Sequence, residues 1–270
     1  MTRRRLDTEL VSRRLASSRQ VAQREIRSGS VVVDGAPVTK PSRLVGPAQE
    51  LRLVATGPRY VSRSGEKLAA ALDEFAVDVA GLRCLDVGSS TGGFTDCLLQ
   101  RSAASVVAVD VGTGQLHDRL RDDARVTVLE QTDIRSVTPD RLGGPVELAA
   151  ADLSFISLSL VVPTLRTLLI AGRPLIALVK PQFEAGRRAV AAGRGVIRDP
   201  SIWRRVLIEV VDAAASADLA LAAAAVSPLR GASGNVEFVV QLVAGGPSLD
   251  TGARCGVLEH VVAEAEARGA

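Results

Sequence analysis

Residues 82–96 read L-R-C-L-D-V-G-S-S-T-G-G-F-T-D, an apolar run that passes through a glycine-rich turn into a helix start. Such a pattern demands a buried strand feeding directly into a helix, with the turn at the ligand crevice of an open α/β sheet. Leu82, Cys84, Leu85 and Val87 supply the strand, and Gly88 allows the tight turn. Gly92 and Gly93 would let a ligand approach backbone N–H groups at the helix N-terminus. A dinucleotide fingerprint needs G-x-G-x-x-G, whereas here the second glycine falls at 92 and Asp86 precedes Gly88 by two residues. An acid so placed would repel a pyrophosphate.

Two further acids occupy equivalent places. The run Ala104 to Asp110 ends in a carboxylate, and the acid at the tip of the second strand of a doubly wound sheet accepts hydrogen bonds from ribose hydroxyls. Asp133 follows a third apolar run, Arg125 to Leu129. A solvated loop is the commoner place for any single aspartate, but three at successive strand tips beside a glycine loop point to one ligand. The D-x-G-x-x-x-G-G order resembles the first motif of S-adenosylmethionine-dependent methyltransferases, whose cationic sulfonium cofactor suits nearby acids. That resemblance implies that Asp86, Gly88, Ser89, Ser90, Gly92, Gly93 and Phe94 hold the cofactor, with Asp110 on the ribose, Asp133 on the adenine amino group and Asp152 near the positive end.

The 270 residues suffice for one large or two unequal domains. Hydrophobic residues make up 47% and aromatics 3%, which predicts an aliphatic core rich in alanine and valine. Cys84, Cys97 and Cys255 lack C-x-x-C spacing, and His117 and His260 are isolated, so neither a metal site nor a disulfide framework is expected. The basic start M-T-R-R-R-L-D is not followed by an apolar stretch of the secretory kind. No run reaches the ~18 uninterrupted apolar residues of a membrane helix. A cytoplasmic monomer is the expectation.

Charge is unevenly divided. Residues 1–60 hold 12 Lys+Arg against 5 Asp+Glu, a net of +7, while residues 61–270 hold 21 against 25, a net of −4. A basic head on a nearly neutral body points to a polyanion-binding module. Leu6 to Leu15 and Ser18 to Ile26 read as short helices, capped by Thr2 or Asp7 and by Ser17 or Ser18, and Asp34-Gly35 between valine runs predicts a hairpin before a strand at 50–54. The order R-L-D-x-x-L-V, A-S-S-R-Q-x-A, I-R-S-G-S-V-V-V-D-G and K-P-S resembles an S4 RNA-binding domain. This implies that Arg4, Arg5, Arg14, Arg19, Arg24, Lys40 and Arg43 include the contacts to RNA phosphate. Aromatics for stacking bases are few, which favours recognition of folded RNA shape. Residues 1–57 are expected to form this domain, 58–61 a linker containing Tyr60, and 62–270 the second domain.

Only three of the 33 basic residues are lysines: Lys40, Lys67 and Lys180. Arginine stays protonated, whereas lysine, normally near a pKa of ~10.4, can be depressed by desolvation and a neighbouring cation until it acts as a base. Lys180 ends the apolar run L-I-A-L-V, Lys67 opens the large domain, Asp152 follows the run 146–151, and Glu237 opens the run 236–242. Any one of them alone would read as an ion pair at a strand end. Together they resemble the K-D-K-E tetrad of FtsJ-like RNA ribose 2′-O-methyltransferases. With A-D-L-S-F-I-S-L, L-V-K-P-Q-F-E, S-G-N-V-E-F and the head, the whole chain is similar to the TlyA (haemolysin A) family. The resemblance implies methylation of cytidine 2′-hydroxyls in ribosomal RNA, on ribosomal subunits, with Lys180 as general base.

The expected fold is an α/β chain: the S4 unit, then a Rossmann-like doubly wound sheet with strands near 82–87, 105–110, 125–129, 146–151, 174–180, 219–226 and 236–242. Arg187, Arg188, Arg194 and Arg198 in the glycine-rich stretch 185–199 are candidate secondary RNA contacts. Two rival functions are a cytolysin, which would need a membrane-inserting element not found in the sequence, and a non-catalytic ribosome assembly factor.

Overall fold

The computed structural model describes residues 3–27, 29–53 and 59–269, except for the side chains of Arg24, Arg187 and Ala192. The chain divides into two compact units, Met1–Arg59 and Tyr60–Ala270.

In the first unit, helices Leu6–Ser12 and Arg19–Arg27 precede a small antiparallel sheet. Strands Val31–Val33 and Ala36–Pro37 form the expected hairpin, and Val31–Val33 also pairs with Leu51–Leu53. At the turn, Asp34 and Gly35 both have positive φ, +50° and +81°, the signature of a type I′ connection. Leu6, Leu10, Ile26, Val31, Val33 and Val45 close the core. Ser18 caps the second helix through Oγ, which accepts from Val21 N at 3.3 Å. Asp7, expected as a cap, lies instead inside the first helix and is fully buried. Thr2 and Val54 lie outside the described residues.

A seven-stranded sheet organises the second unit: β1 (Arg83–Val87), β2 (Ser105–Val109), β3 (Val126–Leu129), β4 (Leu148–Ala151), β5 (Pro174–Val179), β6 (Leu219–Val226) and β7 (Phe238–Ala244). Their spatial order is β6-β7-β5-β4-β1-β2-β3. β1 to β5 are parallel, and β7 runs antiparallel to both β5 and β6. Side chains alternate between two apolar layers, as period-two geometry requires. Cys84, Val106 and Ile176 face one core with α1 (Ser64–Glu74) and α2 (Gly93–Gln100), while Leu85, Val107 and Leu175 join a second core with α3 (Pro200–Ser216) and α4 (Thr251–Ala267). A sheet covered on both faces explains why its strands read as continuous apolar runs.

Two local readings change. Tyr60, expected in a linker, is 1% exposed and packs in the core beneath α1, where Gly65 leaves room for its ring. Pro58 of that linker lies outside the described residues. The stretch 185–199 contains a helix, Arg187–Ala192, and buries Ile197.

Candidate active site

The strand order reverses between β1 and β4, so the turns after these strands diverge and leave a crevice at their carboxyl ends. Gly88 sits at the mouth with φ +83°, and a Cβ there would lie 2.7 Å from the backbone oxygen of Asp152. Only glycine satisfies both the dihedral and the close passage of the β4 exit. Beyond it, Ser90 is held at φ +46° by a 2.8 Å hydrogen bond from its N–H to Asp110 Oδ2. Asp110 Oδ1 accepts from Gly112 N at 2.7 Å, so this acid fastens the glycine loop to the tip of β2.

Four charged residues converge on the crevice from distant segments. Asp152 and Lys180 follow β4 and β5, and Lys67 stands on the first turns of α1. Glu237 arrives because β7 is antiparallel, which brings its first residues to the edge where the parallel strands end. Lys67 Nζ donates to Glu237 Oε2 at 2.5 Å, and both side chains are nearly buried. Lys180 Nζ lies 2.5 Å from Asp152 Oδ1. Lys180 Nζ also donates to Ser154 Oγ at 3.1 Å. The resulting cavity of about 630 Å³ is lined by all four, by Gly88, Ser89, Ser90 and Phe94, and by Arg63, Gln182 and Arg230.

Other expected contacts sit away from the cavity wall. Asp86 is fully buried under α2, where Oδ2 accepts from Thr95 N at 2.8 Å and Thr95 Oγ1 at 2.6 Å. Burial pushes its carboxyl up to about 7, and the Thr95 hydrogen bonds only partly oppose this. Asp133 caps the short helix Ile134–Ser136 and is forked by Arg135, which holds its carboxyl below the usual range. Packing by itself requires Gly92 and Gly93 to be small. A Cβ at 92 would strike Leu120 and Leu116, and one at 93 would strike the hydroxyls of Ser62 and Ser64.

The charged head is more mixed than its composition implies. Among the described residues, Arg14, Lys40 and Arg43 are exposed and form no ion pair, and Arg4 lies 4.0 Å from Glu9. Arg5 and Arg19 both pair with Asp7. The Arg24 side chain lies outside the described residues.

Several residues at the site were not singled out from sequence. Phe155 is 92% exposed with φ +64°, and its ring lies 5.1 Å from that of Phe183. Glu184 ties together the loops that follow β4 and β5, accepting from Ser157 Oγ at 2.5 Å and Leu158 N at 2.7 Å. Asn235, 1% exposed, accepts from Ile197 N at 2.8 Å and donates to Gly195 O at 2.9 Å, so it anchors the segment that closes one wall. All lie within or beside the motifs that carry the tetrad. Their position next to Asp152, Lys180 and Glu237 was the available signal.

S-adenosylmethionine fits this donor set. Gly88 keeps the backbone open at the mouth, and Asp110 and Asp152 bring carboxylates, which suit a cationic cofactor, to the tips of β2 and β4. Among the described residues no helix is long and apolar enough to cross a membrane.

Comparison with known proteins agrees with this geometry. Residues 60–244 match the FtsJ-like methyltransferase family and residues 4–51 the S4 domain. The 16S/23S rRNA (cytidine-2′-O)-methyltransferase TlyA of Mycobacterium tuberculosis is 48% identical, over 89% of this chain and 90% of that one. YqxC of Bacillus subtilis, described as an rRNA methyltransferase, is 45% identical over 88% and 85%. A solved structure from Streptococcus thermophilus, described as a hemolysin, superposes with a TM-score of 0.72 at 38% identity, covering 99% of this chain and 98% of that one. The chain therefore belongs to the FtsJ-like methyltransferase family, within its S4-bearing TlyA group.

Proposed function

We propose that this enzyme transfers a methyl group from S-adenosylmethionine to the 2′-hydroxyl of cytidines in 16S or 23S ribosomal RNA, or in both, in the cytoplasm. The observation that carries the reading is the pairing of Lys180 with Asp152 and of Lys67 with Glu237 in one cleft beside the glycine loop. The substrate class rests on the S4 head and on what the similar proteins act on.

When bound, the cofactor supplies an electrophilic methyl on a sulfonium. A ribose hydroxyl is a weak nucleophile and must lose its proton as it attacks. Lys180 Nζ takes that proton. Asp152 orients the Lys180 side chain through their 2.5 Å contact. Lys67 stabilises the developing alkoxide, and Glu237 holds Lys67 in place. Phe155, exposed beside Phe183 at the rim, offers an aromatic face to a base drawn out of its stack.

Labelled methyl transfer to purified ribosomal subunits, followed by nuclease digestion, tests the reading. The expected product is 2′-O-methylcytidine, absent from a reaction with Lys180→Ala. Label on a base, or none, would overturn it, and leakage of dye from liposomes would favour the cytolysin.

A further inference from the structure

Among the described residues, Asp7 is the only fully buried carboxylate of the first unit. Its oxygens are surrounded by donors. Arg5 Nε reaches Oδ1 and Arg5 Nη2 reaches Oδ2, both at 3.0 Å, and Thr8 Oγ1 lies 3.3 Å from Oδ1. From the second helix, Arg19 Nη2 donates to Oδ2 at 3.2 Å and Gln23 Nε2 at 2.8 Å. The Arg5 guanidinium holds the carboxyl far below its usual range, so the anion persists at any working pH.

A buried carboxylate is a poor way to stabilise a small core, because desolvation offsets most of its attraction and apolar residues of similar volume do as well. Its effect here lies elsewhere. Arg5 precedes the first helix and Arg19 opens the second, and mutual repulsion would separate the two guanidinium groups. Asp7 beneath them draws both to one point, although their side chains stay 46% and 58% exposed. A guanidinium carries five N–H donors. Asp7 engages two from Arg5 and one from Arg19, and the others are available to a ligand.

We propose that Asp7 is a positioning residue that holds Arg5 and Arg19 as a two-pronged clamp on a single RNA phosphate. The inference rests on the reading of the head as an RNA-binding module. It makes a prediction opposite in sign to that of charge alone. Removing a negative charge from a basic surface should tighten RNA binding. Removing the holder of the clamp should weaken it.

The test is binding of the full-length protein to purified ribosomal subunits across a salt series. Asp7→Asn, nearly isosteric, is expected to bind more weakly at physiological ionic strength, with a log–log salt slope smaller by about 0.7 to 0.9, the change that follows when one fewer phosphate is neutralised. In an Arg5→Ala, Arg19→Ala background the same substitution is expected no longer to weaken binding. Unchanged or tighter binding by Asp7→Asn in the parent would overturn the clamp. Should circular dichroism show that Asp7→Asn unfolds the head, Arg19→Lys decides instead, since it keeps the charge but cannot fork between two anions. A slope reduced like that of Arg19→Ala supports the clamp, and a parental slope overturns it. Failure of the parent itself to bind subunits would instead overturn the RNA-binding reading on which the clamp rests.

Discussion

Lys67 Nζ donates to Glu237 Oε2 at 2.5 Å although the two residues lie 170 positions apart, and both are nearly withdrawn from solvent. Each is the reason the other can remain charged there, because an unpaired ion in such a place carries its full desolvation penalty. Lys67→Ala is therefore expected to destabilise the methyltransferase unit by about 3–5 kcal/mol. Glu237→Gln in the same background should recover part of that loss. Chemical denaturation of the two variants and the parent measures both terms; equal stability of Lys67→Ala and the parent would contradict the pairing.

Asp86 supplies a pH signature. Its folded pKa of about 7 lies above the ordinary 3.8, chiefly through burial. Between those values the folded chain binds more protons than the unfolded chain, so this group makes stability fall as pH rises from about 4 to about 7. Above that window the penalty is complete, and below it the penalty is absent. Asp86→Asn, which cannot ionise, is expected to abolish this component. Thermal melts of both proteins across the window give the comparison, and parallel curves would argue against a buried ionisable Asp86.

How far the sequence alone reaches can be seen in particular elements. The seven strands were legible because apolar runs of alanine, valine and leucine between turn signals are what a sheet covered on both faces requires. The reversal of β7 was not, since hydrophobicity has no direction along a strand; yet it is this reversal that delivers Glu237 to Lys67. Lys67 and Lys180 stood out because lysine is rare in this arginine-rich chain, whereas Asp7 and Tyr60 looked like a cap and a linker residue. Their burial depends on partners far away in sequence: Arg19 and Gln23 for the first, the core beneath α1 for the second. Gly93 has the same lesson, because the serines that require it to be small, Ser62 and Ser64, belong to the segment that opens the unit.

Phe155 should separate activity from stability. It is 92% exposed and sits at φ +64°, a region unfavourable for a side chain, so its ring contributes little to folding. Phe155→Ala is expected to keep stability within about 0.5 kcal/mol of the parent. If a base stacks on this ring, the loss is about 1–3 kcal/mol in productive RNA binding, with S-adenosylmethionine affinity unchanged. Calorimetry with the cofactor and single-turnover transfer to ribosomal subunits give the two readouts. Parental transfer would remove Phe155 from the substrate face.

Lys180→Arg keeps the charge beside Asp152 but replaces a group that can give up its proton with one that cannot. As general base, Lys180 should be irreplaceable: the variant folds, binds cofactor and RNA nearly as the parent does, and loses methyl transfer by about 10²–10⁴-fold. As a cationic clamp alone, it could be partly replaced by arginine, whose fork can still reach Asp152 and Ser154. Both roles use the contacts of Lys180 to Asp152 and Ser154, so the substitution rather than the geometry separates them. Single-turnover transfer of labelled methyl distinguishes the two. A rate within a few-fold of the parent would eliminate proton transfer to Lys180 and leave only its charge to explain the pairing with Asp152.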